Sequence, residues 1–154
     1  MPIKLAGKIA SRGNHPAGDN CPIDRAMHVV GSRSTMLIMR EAYYGTTRFD
    51  IFAARTGITE AAIAKHLREL VSAGLFAREP YQEPGQRTRH EYVLTDSGRD
   101  LMPAVFALGQ WGRKHLPHDG TPWMTHDGCD APVSVGMQCS HGHSVGADEL
   151  VVTS

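Results

Sequence analysis

The clearest pattern of apolar and polar residues runs from Phe49 to Leu75. In its second half, apolar or small residues recur at intervals of three and four, the period of one buried helical face; they are Ile63, Leu67, Leu70, Val71 and Gly74. Thr59 suits the start of this helix, because its hydroxyl can accept a hydrogen bond from a free backbone N–H. Gly57 marks a turn before the helix, and Gly74 suits a left-handed residue after it. The pattern therefore predicts two short helices joined by a tight turn.

The opposite face of the second helix carries small and basic side chains, namely Ala61, Lys65, Arg68 and Ser72. A helix of this kind, packed against a short partner helix, suits the major groove of DNA. We expect Thr59, Ala62 and His66 to extend the same DNA-binding surface. The alternative is an ordinary helical hairpin whose polar face is simply solvated.

A β-hairpin is predicted directly after this helix pair. Segments 75–81 and 90–95 contain β-branched and aromatic residues, and Pro84-Gly85 between them is typical of a turn. Arg87 and Arg89 follow the turn, so the hairpin tip should present two cations to DNA phosphates or to the minor groove. The alternative is that both only solvate the loop. The order of helix, turn, helix and basic hairpin predicts a winged helix-turn-helix, which is mainly α with a small β-hairpin wing (α+β).

Further helices are predicted on both sides of this motif. The first should begin at Pro22, and the second should run from about Ser32 to Tyr44. Thr47–Phe49 is predicted as a short strand that leads into the helix pair. After the hairpin, Thr95 suits the N-cap of a long helix that continues to about Leu116 and should bend or locally open at Pro103.

The long helix carries a wider apolar stripe than one small core needs, made of Leu101, Val105, Leu108, Trp111 and Gly112. We expect this stripe to form a homodimer interface together with the apolar face of the first helix, which contains Ile23, Met27 and Val30. The alternative is that the stripe packs only on the hairpin of its own chain.

Charge is distributed unevenly along the 154 residues, although the formal net charge is zero. Residues 1–20 have a net charge of +2, residues 21–116 have +3, and residues 117–154, without Lys or Arg, have −5. The basic charge therefore lies in the predicted DNA-binding segment. We divide the chain into a flexible N-terminal arm (1–20), a DNA-binding and dimerisation domain (21–116) and a C-terminal tail (117–154).

Cysteine content and hydropathy indicate the compartment. Three cysteines are too few for a disulfide framework, and no apolar run is long enough to span a membrane. No signal peptide is recognisable at the start of the sequence. We therefore expect a cytoplasmic protein that does not contact a membrane.

The tail contains a series of candidate metal ligands, which are His126, Cys129, Cys139, His141 and His143. Zinc is usually bound by about four nitrogen or sulfur ligands in a tetrahedron, and two short turns joined by a hairpin can supply them. A small zinc ribbon with bound Zn²⁺ is therefore one expectation for the tail. The other is a partly ordered tail without metal, and no other cofactor is expected.

Several segments occur in a fixed order: CPIDRAMHVVGSRSTMLIMREAYYGTTRFD, the helix pair, PYQEPGQRTRHEYVLTDSGRDLMP and the Trp111-Gly112 pair. Over about residues 21–116, the chain resembles the HxlR family of bacterial winged-helix transcriptional regulators. This resemblance implies a homodimer whose terminal helices form the dimer contact. The dimer would bind a palindromic or pseudo-palindromic operator, often as a repressor. The resemblance also puts His66 at a position where the family usually has arginine, so a DNA contact there would depend on pH.

Cys21 has two interpretations. The resemblance implies that some members sense electrophiles or oxidants through a cysteine near the amino end, and Cys21 matches its Cys-Pro position. A helix N-terminus suits such a reactive thiol. Alternatively, Cys21 is a small structural residue, because free cysteines are among the most buried residue types.

Nothing in the sequence indicates an enzyme, because a glycine-rich phosphate loop, a nucleophile elbow and a pair of facing carboxylates are all absent. We expect a sequence-specific DNA-binding transcriptional regulator that acts as a homodimeric repressor and responds to redox change through Cys21. Two alternatives remain open: a winged-helix adaptor for other proteins, and a regulator that senses a small ligand without redox chemistry.

Overall fold

The computed structural model of the protein describes residues 3–14, 21–120 and 123–153. The elements described there are, in chain order, β1 (Lys4–Leu5), a 3₁₀ helix (Gly7–Ser11), α1 (Pro22–Val30), α2 (Arg33–Tyr43), α3 (Phe49–Thr56), α4 (Glu60–Ser72), β2 (Phe76–Tyr81), β3 (Arg89–Leu94), α5 (Asp96–Asp100), α6 (Met102–His115), a second 3₁₀ helix (Ala147–Glu149) and β4 (Val151–Val152). These elements fall into two units, Asp19–Phe106 and Met1–Gly18 with Ala107–Ser154. This division differs from the boundaries at residues 20 and 116 that we predicted.

The helices α3 and α4 are the predicted helix pair. Gly57 ends α3 with a φ of 66°, and Gly74 follows α4 with a φ of 77°; both lie in the left-handed region that favours glycine. The Thr59 hydroxyl accepts a hydrogen bond from the N–H of Ala62 at 3.4 Å, so Thr59 caps α4 as predicted. The buried face of α4 contains Ile63, Leu67 and Leu70. With the hairpin that follows, this pair confirms the winged helix-turn-helix.

The core of the Asp19–Phe106 unit joins the helix pair to the hairpin. Its most deeply buried side chains are Ile38, Met39, Phe52, Ile63, Leu67, Leu70 and Phe76. The rings of Phe52 on α3 and Phe76 on β2 meet edge to face, with centroids 6.2 Å apart and planes at 89°. Such a pair contributes about 0.5–1.5 kcal/mol beyond its buried area. Because α3, α4 and β2 share these contacts, α4 and the hairpin are held in one unit.

The hairpin is an antiparallel pair of strands, in which Phe76 lies opposite Leu94 and Tyr81 lies opposite Arg89. Arg89 is therefore the first residue of β3. We had predicted it at the tip of the hairpin, in the loop, and this position is wrong. The predicted strand Thr47–Phe49 is also wrong, since α3 begins at Phe49. One strand-like contact remains there, because the N–H of Tyr92 donates to the carbonyl oxygen of Thr47 at 2.8 Å.

The helix that we predicted from Thr95 to Leu116 is divided into α5 and α6. Proline has no N–H and is tolerated only in the first turn of a helix, so α6 begins at Met102, immediately before Pro103. Thr95 caps α5 as predicted, since its hydroxyl accepts from the N–H of Gly98 at 3.1 Å. A Cβ atom at Gly98 would collide with the backbone carbonyl of Leu75, so α5 approaches the end of α4 too closely for any larger residue.

Tyr43 attaches α5 to the end of α2. Its hydroxyl donates to the carbonyl oxygen of Gly98 at 2.7 Å, and its ring packs against Phe106 with centroids 5.9 Å apart. Burial raises the pKa of Tyr43 to about 12, so the hydroxyl remains a donor at neutral pH. The start of α6 is therefore held against the helical core of this unit.

The second unit contains both ends of the sequence. β1 pairs in parallel with β4, with Lys4 opposite Val151 and Leu5 opposite Val152. The N–H of Ala6 extends this pairing by donating to Val152 at 2.9 Å. Residues 3–14 are thus structured, unlike the flexible arm that we predicted, and residues 15–20 of that arm lie outside the described residues.

The tail in the second unit is held to α6 by a pair of hydrogen bonds. The amide of Gln110 donates to the carbonyl oxygen of Val135 at 3.1 Å and accepts from the N–H of the same residue at 2.8 Å. The indole N–H of Trp123 donates to the carbonyl oxygen of Val133 at 2.9 Å. Across the three described ranges, no helix is long and apolar enough to cross a membrane.

Candidate nucleic-acid interface

The outward face of α4 is the first part of the candidate interface. Its side chains extend to solvent because Ile63, Leu67 and Leu70 bury the opposite face. The predicted residues Thr59, Ala61, Lys65 and Arg68 are exposed, whereas Ala62 and His66 are half-buried. The predicted DNA-binding surface on α4 is therefore a narrow exposed strip with Ala62 and His66 along its edge.

One carboxylate lies among the basic groups of this strip. Glu69 Oε1 is 3.9 Å from Lys65 Nζ, and Glu69 Oε2 is 3.2 Å from His66 Nδ1. The His66 side chain is only 18% exposed, compared with 66% for Lys65. An exposed pair of this kind is worth at most about 1 kcal/mol, so Lys65 can exchange Glu69 for a stronger anion.

The hairpin loop, residues 82–88, is the second part, and Arg48 attaches it to the start of α3. Arg48 Nη2 is 2.7 Å from Glu83 Oε1, and its guanidinium lies over the Tyr81 ring, 4.8 Å from the centroid. The hydrogen bond and the charge of Glu83 raise the pKa of Arg48 above its ordinary value. Because Arg48 precedes α3 directly, these contacts restrict where the loop can move.

The two arginines predicted at the hairpin tip differ in position. Arg87 lies in the loop and is exposed. Arg89 is exposed at the start of β3, opposite Tyr81. Cross-strand partners share a face and successive residues alternate, so Arg89 is on the same face as the facing pair Glu79 and Glu91. Its charge is therefore partly offset, and Arg87 is the cation nearer the tip.

Arg78 and His90 lie on the other face of the hairpin, and neither was among the predicted DNA-binding residues. Arg78 on β2 is exposed and donates from Nη2 to His90 Nδ1 on β3 at 3.1 Å. A period-two count from the buried Phe76 puts Arg78 on the same face, and this signal was present in the sequence.

Cys21 is the N-cap residue of α1, and its backbone carbonyl accepts from the N–H of Arg25 at 3.0 Å. Its thiol is free and the residue is half-buried. Both predicted interpretations, a reactive thiol and a structural residue, are compatible with this position. The other free cysteines, Cys129 and Cys139, are more exposed.

The five predicted zinc ligands are divided between two turns of the tail. His126 Nδ1 lies 3.2 Å from Cys129 Sγ in the first turn. In the second turn, backbone N–H groups of His141 and His143 donate to the sulfur and lower the pKa of Cys139. In the described part of the chain, no three His, Cys, Asp or Glu side chains are gathered where one metal ion could bind. These two turns therefore do not bring together the tetrahedral set of ligands that the zinc ribbon, one of our two expectations for the tail, requires.

The apolar stripe that we assigned to a dimer interface is only partly available. Val30 and Val105 are buried in the core of their own unit, and Leu101 packs against that core. The remaining apolar residues on α1 and α6 are exposed: Ile23 to 73%, Met27 to 52%, Leu108 to 59% and Trp111 to 58%. In each unit, therefore, two large apolar side chains of the predicted interface are exposed in the single chain.

Comparison with known proteins identifies the relatives of the chain. Residues 29–120 match the HxlR-like helix-turn-helix family. An uncharacterized HTH-type transcriptional regulator of Mycobacterium tuberculosis H37Rv is 41% identical over 121 residues, which cover 77% of this chain and 75% of that protein. A second one, from Methanothermobacter thermautotrophicus, is 31% identical over 77% of this chain and 91% of its own length.

Solved structures give the same assignment. The crystal structure of PA1607 is similar with a TM-score of 0.76 and 31% identity, over 88% of this chain and 95% of that one. The redox regulator HypR in its reduced form is similar with a TM-score of 0.55 and 29% identity, over 61% of this chain and 92% of that one. The family and its members are transcriptional regulators rather than enzymes. The chain therefore belongs to the HxlR-like helix-turn-helix family and is a transcriptional regulator.

Proposed function

We propose that this regulator binds a palindromic operator as a homodimer and represses transcription from it. The observation that carries the proposal is the presence, in one unit, of an exposed basic face on α4 and an exposed basic hairpin beside it. A recognition helix enters the major groove while the neighbouring hairpin contacts the backbone or the minor groove. Occupation of an operator near a promoter would then exclude polymerase.

Within this proposal, the residues of α4 take different roles. Ala61, Ala62 and Lys65 lie in the first two turns of α4, and the N-terminal residues of a recognition helix usually contact the base edges. The exposed Thr59 hydroxyl accepts from the N–H of Ala62 and would donate its own hydrogen to a phosphate. His66 and Lys65 are both near the Glu69 carboxylate, which links the two side chains. Arg87 and Arg89 would hold the backbone or the minor groove from the hairpin.

Homodimerisation is supported by the exposed apolar side chains of α1 and α6. Removing apolar surface from water is favourable by about 25 cal/mol for each Å² that is buried, so covering these side chains would stabilise a dimer. A two-fold dimer would present its recognition helices to successive turns of the major groove, about 34 Å apart. The operator would then be palindromic, because each half-site would meet the same surface.

The test is fluorescence anisotropy with the duplex upstream of the protein's own gene and with a scrambled duplex of equal composition, each across a salt series. Wild-type protein should prefer the upstream duplex, and its affinity should fall steeply with salt because each phosphate contact releases counterions. Equal affinity for both duplexes at all salt concentrations would contradict sequence-specific binding and favour the adaptor alternative.

Substitutions on α4 and on the hairpin should have different effects in that assay. Lys65→Ala should lower affinity for the upstream duplex more than for the scrambled one, by about 1–3 kcal/mol for a lost base contact. The double substitution Arg87→Ala and Arg89→Ala should lower the affinity for both duplexes equally and reduce its salt dependence. If Lys65→Ala weakened both duplexes equally, its assignment to the bases would be wrong.

A redox response through Cys21 is the second part of the proposal. It is supported by the free, half-buried thiol at the start of α1 and by the similarity to HypR, which is named a redox regulator. α1 also carries the exposed Ile23 and Met27, so modification of Cys21 would act close to the proposed dimer interface.

Treatment with diamide should lower the DNA affinity of the wild type and leave that of Cys21→Ser unchanged. The matched control is Cys129→Ser with Cys139→Ser, which removes the two more exposed thiols and should respond as the wild type does. A response retained in Cys21→Ser but lost in the control would move the sensor to the tail. Insensitivity of the wild type would favour a regulator that senses a small ligand instead.

A further inference from the structure

A groove of about 390 Å³ lies between α4 and the hairpin. Its lining residues come from both elements and are Ala64, Arg68, Val71, Ser72, Arg78 and Tyr92. Along α4 the groove extends from Ala64 to Ser72, so most of it lies beside the C-terminal half of the helix. At about 1.5 Å per residue, Arg68 is roughly 10 Å along the helix axis from Ala61 and about 4.5 Å from Lys65. The groove therefore adjoins, on its C-terminal side, the surface that we assign to the bases.

Two arginines line this groove, one from each element. Arg68 comes from α4 and Arg78 from β2. Among the residues that the structure describes, no carboxylate lies within salt-bridge distance of either. Glu69, the carboxylate next to Arg68 in sequence, is engaged by Lys65 and His66. The groove therefore has two positive charges that no described anion neutralises.

The hairpin register explains why Arg78 borders the groove and the nearby glutamates do not. Arg78 lies opposite Tyr92 and shares the face of Phe76, which is buried against the helices. Glu79 lies opposite Glu91, one position further, so both are on the other face. A slip of one residue would exchange these faces.

His90 orients the guanidinium of Arg78 but occupies only one of its N–H donors. The guanidinium donates one hydrogen bond, from Nη2 to His90 Nδ1. Since arginine has five N–H donors and no acceptor, four donors remain for a ligand, and the contact requires His90 to be unprotonated at Nδ1. Both arginines also stand on regular elements, α4 and β2, so their backbone positions are fixed by the core.

The chemistry of the groove selects an oxyanion. Paired guanidinium groups bind phosphate through parallel N–H···O hydrogen bonds, and the apolar side chains of Val71 and Tyr92 strengthen these bonds by reducing solvent around them. The exposed hydroxyl of Ser72 is a further donor at the rim. Two guanidinium-bearing residues that line one groove suit an anionic phosphate group better than an uncharged base edge.

We propose that Arg68 and Arg78 bind one backbone phosphate of the operator in this groove. The inference rests on the proposed function, since it takes bound DNA as the source of the phosphate. It assigns Arg68 to the backbone rather than to the bases, and it adds Arg78 as a DNA-binding residue that neighbours, but is distinct from, the hairpin tip. Each homodimer would hold two such phosphates.

The test uses the same anisotropy assay and salt series. Arg78→Ala should lower affinity for the upstream and scrambled duplexes equally, by about 10- to 100-fold, and should reduce the salt slope by about two, since a dimer loses two phosphate contacts. Arg78→Lys keeps the positive charge but loses the paired N–H donors of the guanidinium, so its DNA affinity should lie between those of the wild type and Arg78→Ala. Arg68→Ala should behave as Arg78→Ala does.

The matched control is Arg33→Ala, which removes the same charge from an exposed position at the start of α2, outside the groove. It should leave the salt slope unchanged. Circular dichroism of each variant confirms that it is folded. If wild-type protein binds duplex DNA and Arg78→Ala binds with the same affinity and slope as Arg33→Ala, the phosphate site is refuted while the proposed function stands. If wild-type protein binds no duplex at all, the proposed function itself has failed.

A free oxyanion is distinguished from DNA by calorimetric titration with inorganic phosphate. Phosphate binding by the wild type that is lost in both Arg68→Ala and Arg78→Ala, together with weaker DNA binding, supports the shared site. The same loss with DNA affinity unchanged overturns the assignment to DNA, because the groove would then serve a small anion instead.

Discussion

Replacing Trp111 with glutamate is expected to yield a folded monomer that binds the operator about 10²–10⁴-fold more weakly than the wild type, since the two half-sites can no longer be bound together. The indole of Trp111 is 58% exposed in the single chain, and Leu108, nearly one turn earlier on α6, is 59% exposed. A carboxylate at the centre of an apolar interface would lose its hydration without gaining a partner, which costs several kcal/mol. Light scattering measures the oligomeric state, and anisotropy measures the affinity.

The matched control for this prediction is Met137→Glu. Met137 is also apolar, 49% exposed and part of the same unit, but it lies in the tail and not on α6. This variant should remain a dimer with unchanged affinity. A Trp111→Glu protein that stayed dimeric would show that α6 does not contribute to the interface and would leave α1 as the candidate.

Replacing Phe52 with alanine is expected to reduce the free energy of unfolding by about 3–5 kcal/mol, the usual cost of truncating a buried phenylalanine. Phe52 is 0% exposed and packs edge to face on Phe76, so its loss removes a buried contact between α3 and the hairpin. Since domains of this size are stable by only about 5–15 kcal/mol, DNA affinity should fall as the folded fraction falls. Urea unfolding followed by circular dichroism measures the change.

Phe52→Leu is the control for the loss of the ring, because leucine fills most of the space and should cost less than about 1.5 kcal/mol. The order of stability should therefore be wild type, then leucine, then alanine. Equal stabilities of the alanine variant and the wild type would contradict the central place of Phe52 in the core.

The helix pair could be predicted because its signals are local. Gly57, Thr59 and Gly74 act on backbone groups within a few residues of themselves, and the structure has each of them in its predicted role. The buried stripe of α4 was likewise predictable, since a period of three to four residues leaves little choice of which face is apolar. Pro103 was informative as well: we expected a bend or a local opening of the helix there, and the helix is interrupted, with α6 beginning beside the proline, because proline is better tolerated in a first turn than within a helix.

The position of the hairpin cations could be predicted only in part. The turn at Pro84-Gly85 was evident, and with it the exposure of Arg87. Whether Arg78 or Arg89 faces α4 depends on the register, which a single residue reverses. The register follows from burial of Phe76 against Phe52, a contact between elements that are distant in the sequence.

The tail decides against the closed set of zinc ligands, which was one of the two expectations for it. His126, Cys129, Cys139, His141 and His143 have spacings typical of zinc ligands, yet the two turns that carry them do not gather three ligands around one point. Instead, Gln110 holds Val135, and β4 pairs with β1 from the opposite end of the sequence. Spacing describes only what each turn can offer, and the distance between two turns is a property of the folded chain.

The amino-acid pattern alone was sufficient for the helix-turn-helix, the hairpin after it and the basic character of both, since these follow from periodicity, capping and turn chemistry within short segments. The folded arrangement was needed for everything that depends on two distant segments meeting: the pairing of β1 with β4, the side of the hairpin on which Arg78 lies, and the groove that Arg78 shares with Arg68. The physical reason is that local hydrogen bonds and steric limits act within a few residues, whereas register and packing are selected by burial of the whole core.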